Sequence, residues 1–429
     1  MAIEITKEEV FEFHEGGKVR VALSKPLATQ RDLCVAYTPG VAQAVKEIAA
    51  KPETVFNLTS KRNLVAVVSD GTAILGLGDL GAAASIPVME GKAALFKTFA
   101  NVDAWPVPVG CCRKDGKDTG KTDPQRVIDA VRAIAPMYGG INLEDIAAPA
   151  CFEIEKVLDA ELDIPVFHDD QWGTAVITCS GVINYAHLTG RKMSDLHVVI
   201  NGAGAAGIRI ADMCKAAGVQ HLTMCDSKGI IRTDREGLTE HKQRHAVTTD
   251  KRTLKEALEG AHVFIGVSVP HALTGDDVKT MAEFPAIFAM ANPDPEITPA
   301  EVAEALQGKP YVMGTGRSDY PNQINNVLGF PFLFRGALDV HARTINTEMK
   351  VAASTALAML AREPVPADVQ ALYPGEQLEF GTQYIIPKAF DRRLYSVVSY
   401  AVAEAAVKSG AAPADTDLAA LKAKLERGF

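Results

Sequence analysis

Short apolar runs alternate with longer helical stretches along the chain after residue 160. Helical periodicity begins near residues 171 and 205, and β-branched residues are frequent in the short runs. Strand, helix and strand at this spacing are typical of a parallel sheet covered by helices. The runs that predict strands are IPVF (164–167), LHVVIN (196–201), HLTMCD (221–226), HVFIGV (262–267) and AIFAMAN (286–292).

The pattern before residue 160 is less regular and predicts a mixed α/β N-terminal domain. Strands are expected at 64–70 and 73–78, and helices near 87–99 and 124–135. We place residues 1–163 in this first domain and residues 164–429, which end in Ala-rich helices, in the second. Nothing linker-like marks the boundary, so we expect the two domains to meet closely across a cleft.

A glycine-rich turn follows the apolar run at 196–201 and opens an amphipathic stretch. The first glycine of a GxGxxG turn allows a tight bend, the second lets the backbone approach a pyrophosphate, and the third lets helix and strand pack closely. An ordinary strand-to-helix turn is the alternative, but the flanking strand, helix and later acid favour a Rossmann-like, doubly wound parallel-sheet domain that binds NAD(P). The predicted cofactor-binding residues here are Gly202, Ala203, Gly204, Ala205, Ala206 and Gly207.

Asp226 closes the next strand, where a carboxylate commonly binds the ribose of a dinucleotide. A carboxylate in this place favours NAD, because it repels the 2′-phosphate of NADP. Ser227 and Lys228 follow at once, and a hydroxyl with an ammonium could hold that phosphate instead. These residues alone leave the cofactor open.

Two pairs of adjacent acids, Glu144-Asp145 and Asp169-Asp170, each follow a short apolar run. Adjacent acids are commonly solvated surface residues or helix caps. In open α/β sheets, however, ligands gather beyond the carboxyl ends of strands. Oxygen ligands from two strand ends would suit Mg²⁺ or Mn²⁺, with positions left for water and substrate.

The composition narrows the class of protein further. The 429 residues are 47% hydrophobic and 23% charged, with a net charge of −9, so we expect a folded protein that binds neither nucleic acid nor a membrane. The acidic start of the chain does not resemble a signal peptide, which predicts a cytoplasmic location. The seven cysteines form no CxxC pair, which argues against a disulfide framework or a zinc site.

Several motifs together resemble a known family, the malic enzymes, in their compact bacterial type. The motifs that carry the resemblance are AYTPGVA (36–42), SDGTAILGLGDLG (69–81), PVMEGKAALFK (87–97), GGINLEDI (139–146), IPVFHDDQ (164–171), the glycine turn, NPDPE (292–296) and GRSDYPNQINNVLGFPFLFRGALD (316–339). Some bacterial relatives continue into a domain like phosphotransacetylase, which this chain is expected to lack.

The resemblance implies roles for individual residues. Tyr37 is expected to be the general acid and Lys92 the general base. The base role requires the pKa of Lys92 to fall toward neutrality, which burial beside a dication would produce. The remaining assignments are Glu144, Asp145 and Asp170 as metal ligands, Asp169 as a catalytic residue beside them, Asn292 as a contact to cofactor and substrate, and Asn325 and Asn326 as contacts to substrate.

The activity implied is oxidative decarboxylation of (S)-malate to pyruvate and CO₂, with reduction of NAD(P)⁺ and a requirement for Mg²⁺ or Mn²⁺. NADP is the expected cofactor, because DSKG at 226–229 is similar to the sequence of bacterial members that use it. A homodimer or a higher homo-oligomer is also implied.

Two departures from the family pattern keep alternatives open. Trp172 stands where the bacterial pattern commonly has His, which favours considering tartrate or another 2-hydroxy diacid as the substrate. The stretch 107–123 looks longer and more basic than usual and is expected to be an exposed hairpin. From another class of protein, a catalytically silent dinucleotide-binding sensor is the alternative to an enzyme.

Overall fold

The computed structural model describes residues 5–75, 77–117 and 120–429. Its helices are α1 (Lys7–His14), α2 (Gln30–Ala36), α3 (Val41–Ala50), α4 (Val55–Leu58), α5 (Ala82–Ala100), α6 (Pro124–Ile134), α7 (Ala150–Glu161), α8 (Asp169–Thr189), α9 (Ala205–Ala216), α10 (Glu240–Gln243), α11 (Leu254–Leu258), α12 (Gly275–Lys279), α13 (Pro299–Leu306), α14 (Phe330–Asp339), α15 (Thr347–Arg362), α16 (Ala367–Ala371), α17 (Arg393–Lys408) and α18 (Leu418–Glu426). Its strands are β1 (Leu64–Ser69), β2 (Asp103–Pro108), β3 (Gly140–Leu143), β4 (Val166–His168), β5 (His197–Asn201), β6 (His221–Asp226), β7 (Gly229–Ile230), β8 (Val263–Gly266), β9 (Ala286–Ala289) and β10 (Val312–Thr315).

The first sheet is parallel, with the strand order β2-β1-β3-β4. Its edge strand β2 carries Pro106 and Pro108, which an edge tolerates because proline has no N–H to donate to a neighbour. The strand predicted at 73–78 does not form. Instead, an isolated bridge joins Ile74 to Gly78 in a turn, and residue 76 lies outside the described residues.

The second sheet has the order β10-β9-β8-β5-β6-β7, which is the doubly wound Rossmann-like arrangement predicted from the sequence. All neighbours are parallel except the short β7, which pairs antiparallel with β6. The strand order reverses between β5 and β8, so the loops that follow these two strands form the crevice in which such sheets bind ligands.

The two sheets are joined through α8 and the C-terminal helices. The strand predicted at 164–167 forms as β4 and completes the first sheet. The predicted domain boundary after residue 163 therefore lies just before the last strand of that sheet. The C-terminal helices also reach the first sheet: the ring of Phe334 on α14 lies 5.3 Å from Phe96 and 5.9 Å from Phe167. One continuous apolar core therefore runs from the first sheet to the second.

The N-terminal arm, residues 5–50, differs from the rest because none of its residues is buried. Its exposed large apolar side chains include Phe11, Phe13, Val21 and Leu23. In the described parts of the chain, no helix has both the length and the apolar character that a bilayer crossing demands.

Candidate active site

The two predicted pairs of acids meet at one edge of the first sheet. Because β3 and β4 are parallel neighbours, the residues that follow them lie side by side. Glu144 and Asp145 follow β3, whereas Asp169 and Asp170 form the first turn of α8 directly after β4. Lys92 reaches the same place from the middle of α5. Glu144, Asp145 and Asp169 are buried, and Lys92 is half-buried. Asp170 is also half-buried, with 39% of its side chain exposed.

Lys92 is fixed between two carboxylates. Its Nζ lies 2.7 Å from Asp169 Oδ2 and 2.9 Å from Glu144 Oε1, and 4.3 Å from the centre of the Phe330 ring. Burial alone would lower the pKa of Lys92, but the charges of Asp169 and Glu144 outweigh burial and raise this pKa above its ordinary value. This differs from the expected fall toward neutrality, because the sequence did not show that two carboxylates contact the ammonium.

Glu144, Asp145 and Asp170 form a group that could hold a divalent cation. One oxygen from each lies within 4.8 Å of the others. The buried Asp145 Oδ2 has no hydrogen-bond partner among the described residues. Burial and the charge of Asp170 raise the pKa of Asp145 to about 7, and burial with the neighbouring carboxylates also raises the pKa of Glu144. Crowded carboxylates with an unused oxygen fit Mg²⁺ or Mn²⁺, which both prefer oxygen ligands.

The backbone at Asp145 is held in an unusual conformation. Its φ is +53°, a left-handed value that is uncommon for a residue with a side chain and is found mainly where the surroundings enforce it. The Asp145 N–H donates to Asp170 Oδ2 at 2.8 Å, and its carbonyl accepts the N–H of Ala73 at 3.0 Å. The loop after β1 and the start of α8 therefore both fix the turn that carries two of the acids.

That loop is itself braced by a buried arginine from the stretch 107–123. Arg113 is 2% exposed and donates through Nη1 to Asp70 Oδ2 at 2.6 Å and through Nη2 to Asp79 Oδ1 at 3.0 Å. Thr122 donates to the same Asp70 carboxylate. The expectation of a simple exposed hairpin is therefore wrong at its base, although residues 118 and 119 lie outside the described residues.

Of the three predicted asparagines, Asn326 contacts the acidic cluster. Its Nδ2 donates to Asp169 Oδ2 at 3.1 Å, and its Oδ1 accepts the hydroxyl of Thr174 at 3.0 Å. Asn325 instead caps a short turn, where its Oδ1 accepts the N–H of Val327. Asn292 is exposed and follows β9, beside Gly316.

The glycine turn lies at the crevice of the second sheet, between the ends of β5 and β8. Gly202 has φ +115°, and a Cβ on it would collide with the backbone of Val267. A Cβ on Gly207 would collide with the carbonyl of Gly202. Gly204 faces open space, since a Cβ there would have no atom within 4 Å. The first and third glycines thus serve the turn itself, and the second leaves room for a pyrophosphate.

Asp226 is engaged by two basic residues that the sequence reasoning did not identify. Arg235 binds both of its oxygens at 3.0 Å, and Lys242 Nζ lies 2.8 Å from Oδ2. Burial alone would raise the pKa of Asp226, but these cations outweigh it and lower the pKa to about 2. Ser227 and Lys228 are exposed beside it.

Two family models match the chain, one on each sheet. The model described as malic enzyme, N-terminal domain, matches residues 16–159, and the model described as malic enzyme, NAD binding domain, matches residues 172–379. The chain belongs to the malic enzyme family.

Comparisons that cover nearly all of this chain agree with this membership. The chain is 54% identical to an NADP-dependent malic enzyme of Rhizobium meliloti, over 95% of this chain and 53% of that protein. It is 49% identical to an NAD-dependent malic enzyme of Geobacillus stearothermophilus, over 95% and 80% respectively. The crystal structure of malic enzyme from Pyrococcus horikoshii matches with a TM-score of 0.88 and 40% identity, covering 98% of this chain and 95% of that one. The chain spans about half the length of several curated relatives.

Within this malic enzyme family member, Tyr37 stands apart from the other predicted site residues. It ends α2 in the N-terminal arm, is 68% exposed, and its hydroxyl forms no hydrogen bond with any described residue. The structure therefore brings together Lys92 and the acids but leaves Tyr37 outside that contact network.

Glu296 is a residue of this family member whose importance the sequence reasoning missed. Its fully buried carboxylate accepts the N–H groups of Ser268 at 2.8 Å and Ala291 at 3.0 Å, which ties the loop after β8 to the loop after β9. The signal was present in the NPDPE motif, but nothing in the sequence showed that the acid turns inward.

Proposed function

We propose that the chain catalyses the oxidative decarboxylation of (S)-malate to pyruvate and CO₂, with reduction of NADP⁺ to NADPH. The observation that carries the proposal is the meeting of Lys92, Asp169 and the three-acid group at one sheet edge. A divalent cation held by Glu144, Asp145 and Asp170 supplies stabilisation of the negative charge that develops on substrate oxygen.

Lys92 is the residue placed to accept the proton of the 2-hydroxyl while hydride leaves C2 for the nicotinamide. In the structure Asp169 and Glu144 hold it as an ammonium. For Lys92 to act as a base, its pKa must fall. A cation bound to Glu144 would offset the negative charge that raises this pKa. Asn326 orients Asp169 from the opposite side, so the ammonium has a fixed position.

Loss of CO₂ from the oxidised acid leaves an enolate, which must gain a proton at C3 to become pyruvate. Tyr37 is our candidate for this donor. The proton removed from the 2-hydroxyl replaces the one that Tyr37 gives to C3, so the number of protons is conserved. Tyr37 is exposed on the N-terminal arm. To donate this proton, it requires the arm to pack over a catalytic cleft.

The exposed apolar side chains of the arm support a homodimer or a higher homo-oligomer. Many large apolar side chains left exposed on one segment favour an interface over a solvated face. We propose that assembly covers the arm and that the same packing brings Tyr37 to a catalytic cleft.

The surroundings of Asp226 support NADP over NAD. A free carboxylate would accept bonds from the ribose hydroxyl and repel a 2′-phosphate. Here Arg235 and Lys242 already neutralise that carboxylate, and both can bind a phosphate as well. Asn292, Asn325 and Ser227 remain our candidates for further contacts to substrate and cofactor.

The experiment that tests the proposal is a spectrophotometric assay of malate and tartrate with each nicotinamide cofactor, with and without Mn²⁺. We expect Mn²⁺-dependent NADPH formation with malate. Preferential tartrate turnover would replace the substrate assignment, and cofactor binding without turnover of either acid would favour the silent sensor. Trp172, the reason for considering tartrate, donates to Glu155 Oε1 at 2.8 Å.

A further inference from the structure

A cavity of about 560 Å³ has Trp172 in its wall, two residues along α8 from Asp170. It opens between α7, α9, α10 and α15, and its wall includes Phe152, Trp172, Arg209 and Lys350. This volume falls within the range of small-molecule sites. Neither the predicted metal ligands nor the glycine turn line it.

Lys350 is the unusual member of the wall. It is 7% exposed, yet its ammonium makes no hydrogen bond or ion pair with any residue that the structure describes. Its Nζ instead lies 3.6 Å from the centre of the Trp172 ring. Burial outweighs the charges of Glu155 and Asp159 and lowers the pKa of Lys350 to about 8. A buried ammonium without a bonded partner is costly, and a cation–π contact offsets only part of that cost.

The other charged side chains of the wall are hydrogen-bonded or exposed. Arg209 binds Gln171 and Glu155, which also accepts from Trp172. Asp159 accepts the hydroxyl of Thr344. The remaining charged lining residues, Glu153, Lys156, Glu240 and Arg244, are exposed. Of the charged side chains in this wall that are not exposed, Lys350 alone has no hydrogen-bond or ion-pair partner among the described residues.

We propose that this cavity binds a small dianion, a dicarboxylate or a phosphate, through Lys350. Arg244, which also lines the cavity and pairs with Asp212 at 2.6 Å, would supply a second cation by exchanging that partner for the ligand. Trp172 forms one wall, so a ligand there would contact α8 two residues beyond Asp170. Arg209 lies on α9, which begins in the glycine turn, so the ligand would also touch the helix that positions the dinucleotide loop.

Tryptophan fluorescence provides a test that does not depend on malate turnover. The chain has two tryptophans, and Trp105→Phe leaves Trp172 as the only one. That variant is titrated with succinate and separately with inorganic phosphate, without metal or dinucleotide. We expect a saturable change, and the anion that binds more tightly identifies the ligand class. No saturable change with either anion overturns the proposal.

Lys350→Met in the Trp105→Phe background should weaken binding by about tenfold or more, because a charge-assisted bond is lost. Lys388→Met is the matched control, since Lys388 is also partly buried near an aromatic ring, 5.0 Å from the centre of Tyr373. Equal affinity in the Lys350 and Lys388 variants would overturn the proposal. If Lys350→Met does not fold, the exposed Arg244→Gln should still weaken binding, and unchanged affinity there would also contradict it.

Discussion

The surroundings of two carboxylates in this molecule shift their pKa values in opposite directions. At the edge of the first sheet, burial and the charge of Asp170 raise the pKa of Asp145 to about 7. At the edge of the second sheet, Arg235 and Lys242 outweigh burial and lower the pKa of Asp226 to about 2. Both acids lie at the carboxyl end of a strand and both were predicted as ligand-binding residues, so their position alone does not distinguish them.

The difference lies in the balance of charge around each acid. Four carboxylates share a single ammonium, that of Lys92, in the first site, which leaves an excess of negative charge for a divalent cation. In the second site one carboxylate faces two cations, which leaves positive charge for a phosphate. The charges within contact distance thus distinguish a group suited to a metal from a group suited to an anion, which the motifs do not.

The largest effect should come from removing the single cation of the first site. Lys92→Ala is expected to lower kcat for malate oxidation by about 10³-fold, the scale of general base catalysis, and to leave NADP affinity unchanged. The measurement is steady-state kinetics with a separate binding titration for NADP. Near-normal turnover would contradict the base assignment.

A smaller loss of rate is expected from substitution of Tyr37, which belongs to neither carboxylate site. Tyr37→Phe should slow proton incorporation at C3 of pyruvate by about 10²-fold, because the donor hydroxyl is lost. Isotope incorporation from deuterated solvent measures this step separately from malate oxidation. Tyr400→Phe, at a half-buried tyrosine of α17, serves as a control for loss of a hydroxyl. Unimpaired ketonisation in Tyr37→Phe would exclude this residue as the donor.

Substitution in the second site, around Asp226, should change the cofactor preference. Arg235→Ala is expected to lower the preference for NADP over NAD by about tenfold, since one charged contact to a phosphate is lost and Asp226 is partly freed. The measurement is kcat/KM with each cofactor. Arg232→Ala is the matched control, because Arg232 pairs with Asp234 instead. A loss shared equally by both cofactors would count against the phosphate role.

The smallest expected effect concerns stability. The contributions of Asp145 and Asp226 to the stability of the folded state should change with pH in opposite directions. The native pKa of Asp145 lies above the unfolded value near 4, so the native state holds the extra proton, and metal-free stability should fall as pH rises from about 4 to about 7. The pKa of Asp226 lies below the unfolded value, so its contribution is complete above about pH 4 and is lost toward pH 2.

Thermal unfolding of metal-free protein between pH 5 and 8 distinguishes the two acids. Asp145→Asn should reduce the decline in Tm with rising pH, whereas Asp226→Asn should leave that slope as it is. An identical slope in wild type and Asp145→Asn would show that Asp145 does not titrate in this range.

The sequence predicted much of this architecture because its strands are short, apolar and regularly spaced. The glycine turn and the acids were identified from local patterns, since each lies immediately after a strand. Arg235, Lys242 and Arg113 were missed because their roles depend on contacts across loops, which no local pattern encodes. The strand expected at 73–78 failed for a similar reason, since the segment turns to contact Asp145 through the backbone of Ala73.

The central claim is that Glu144, Asp145 and Asp170 hold a divalent cation. Titration of metal-free protein with Mn²⁺, followed by the electron paramagnetic resonance signal of free Mn²⁺, tests it without any substrate. We predict one ion bound per chain in the wild type and an affinity about 10²-fold weaker in Asp145→Asn, with the exposed Asp276→Asn unchanged. Absence of Mn²⁺ binding, or equal binding by wild type and Asp145→Asn, would contradict the claim.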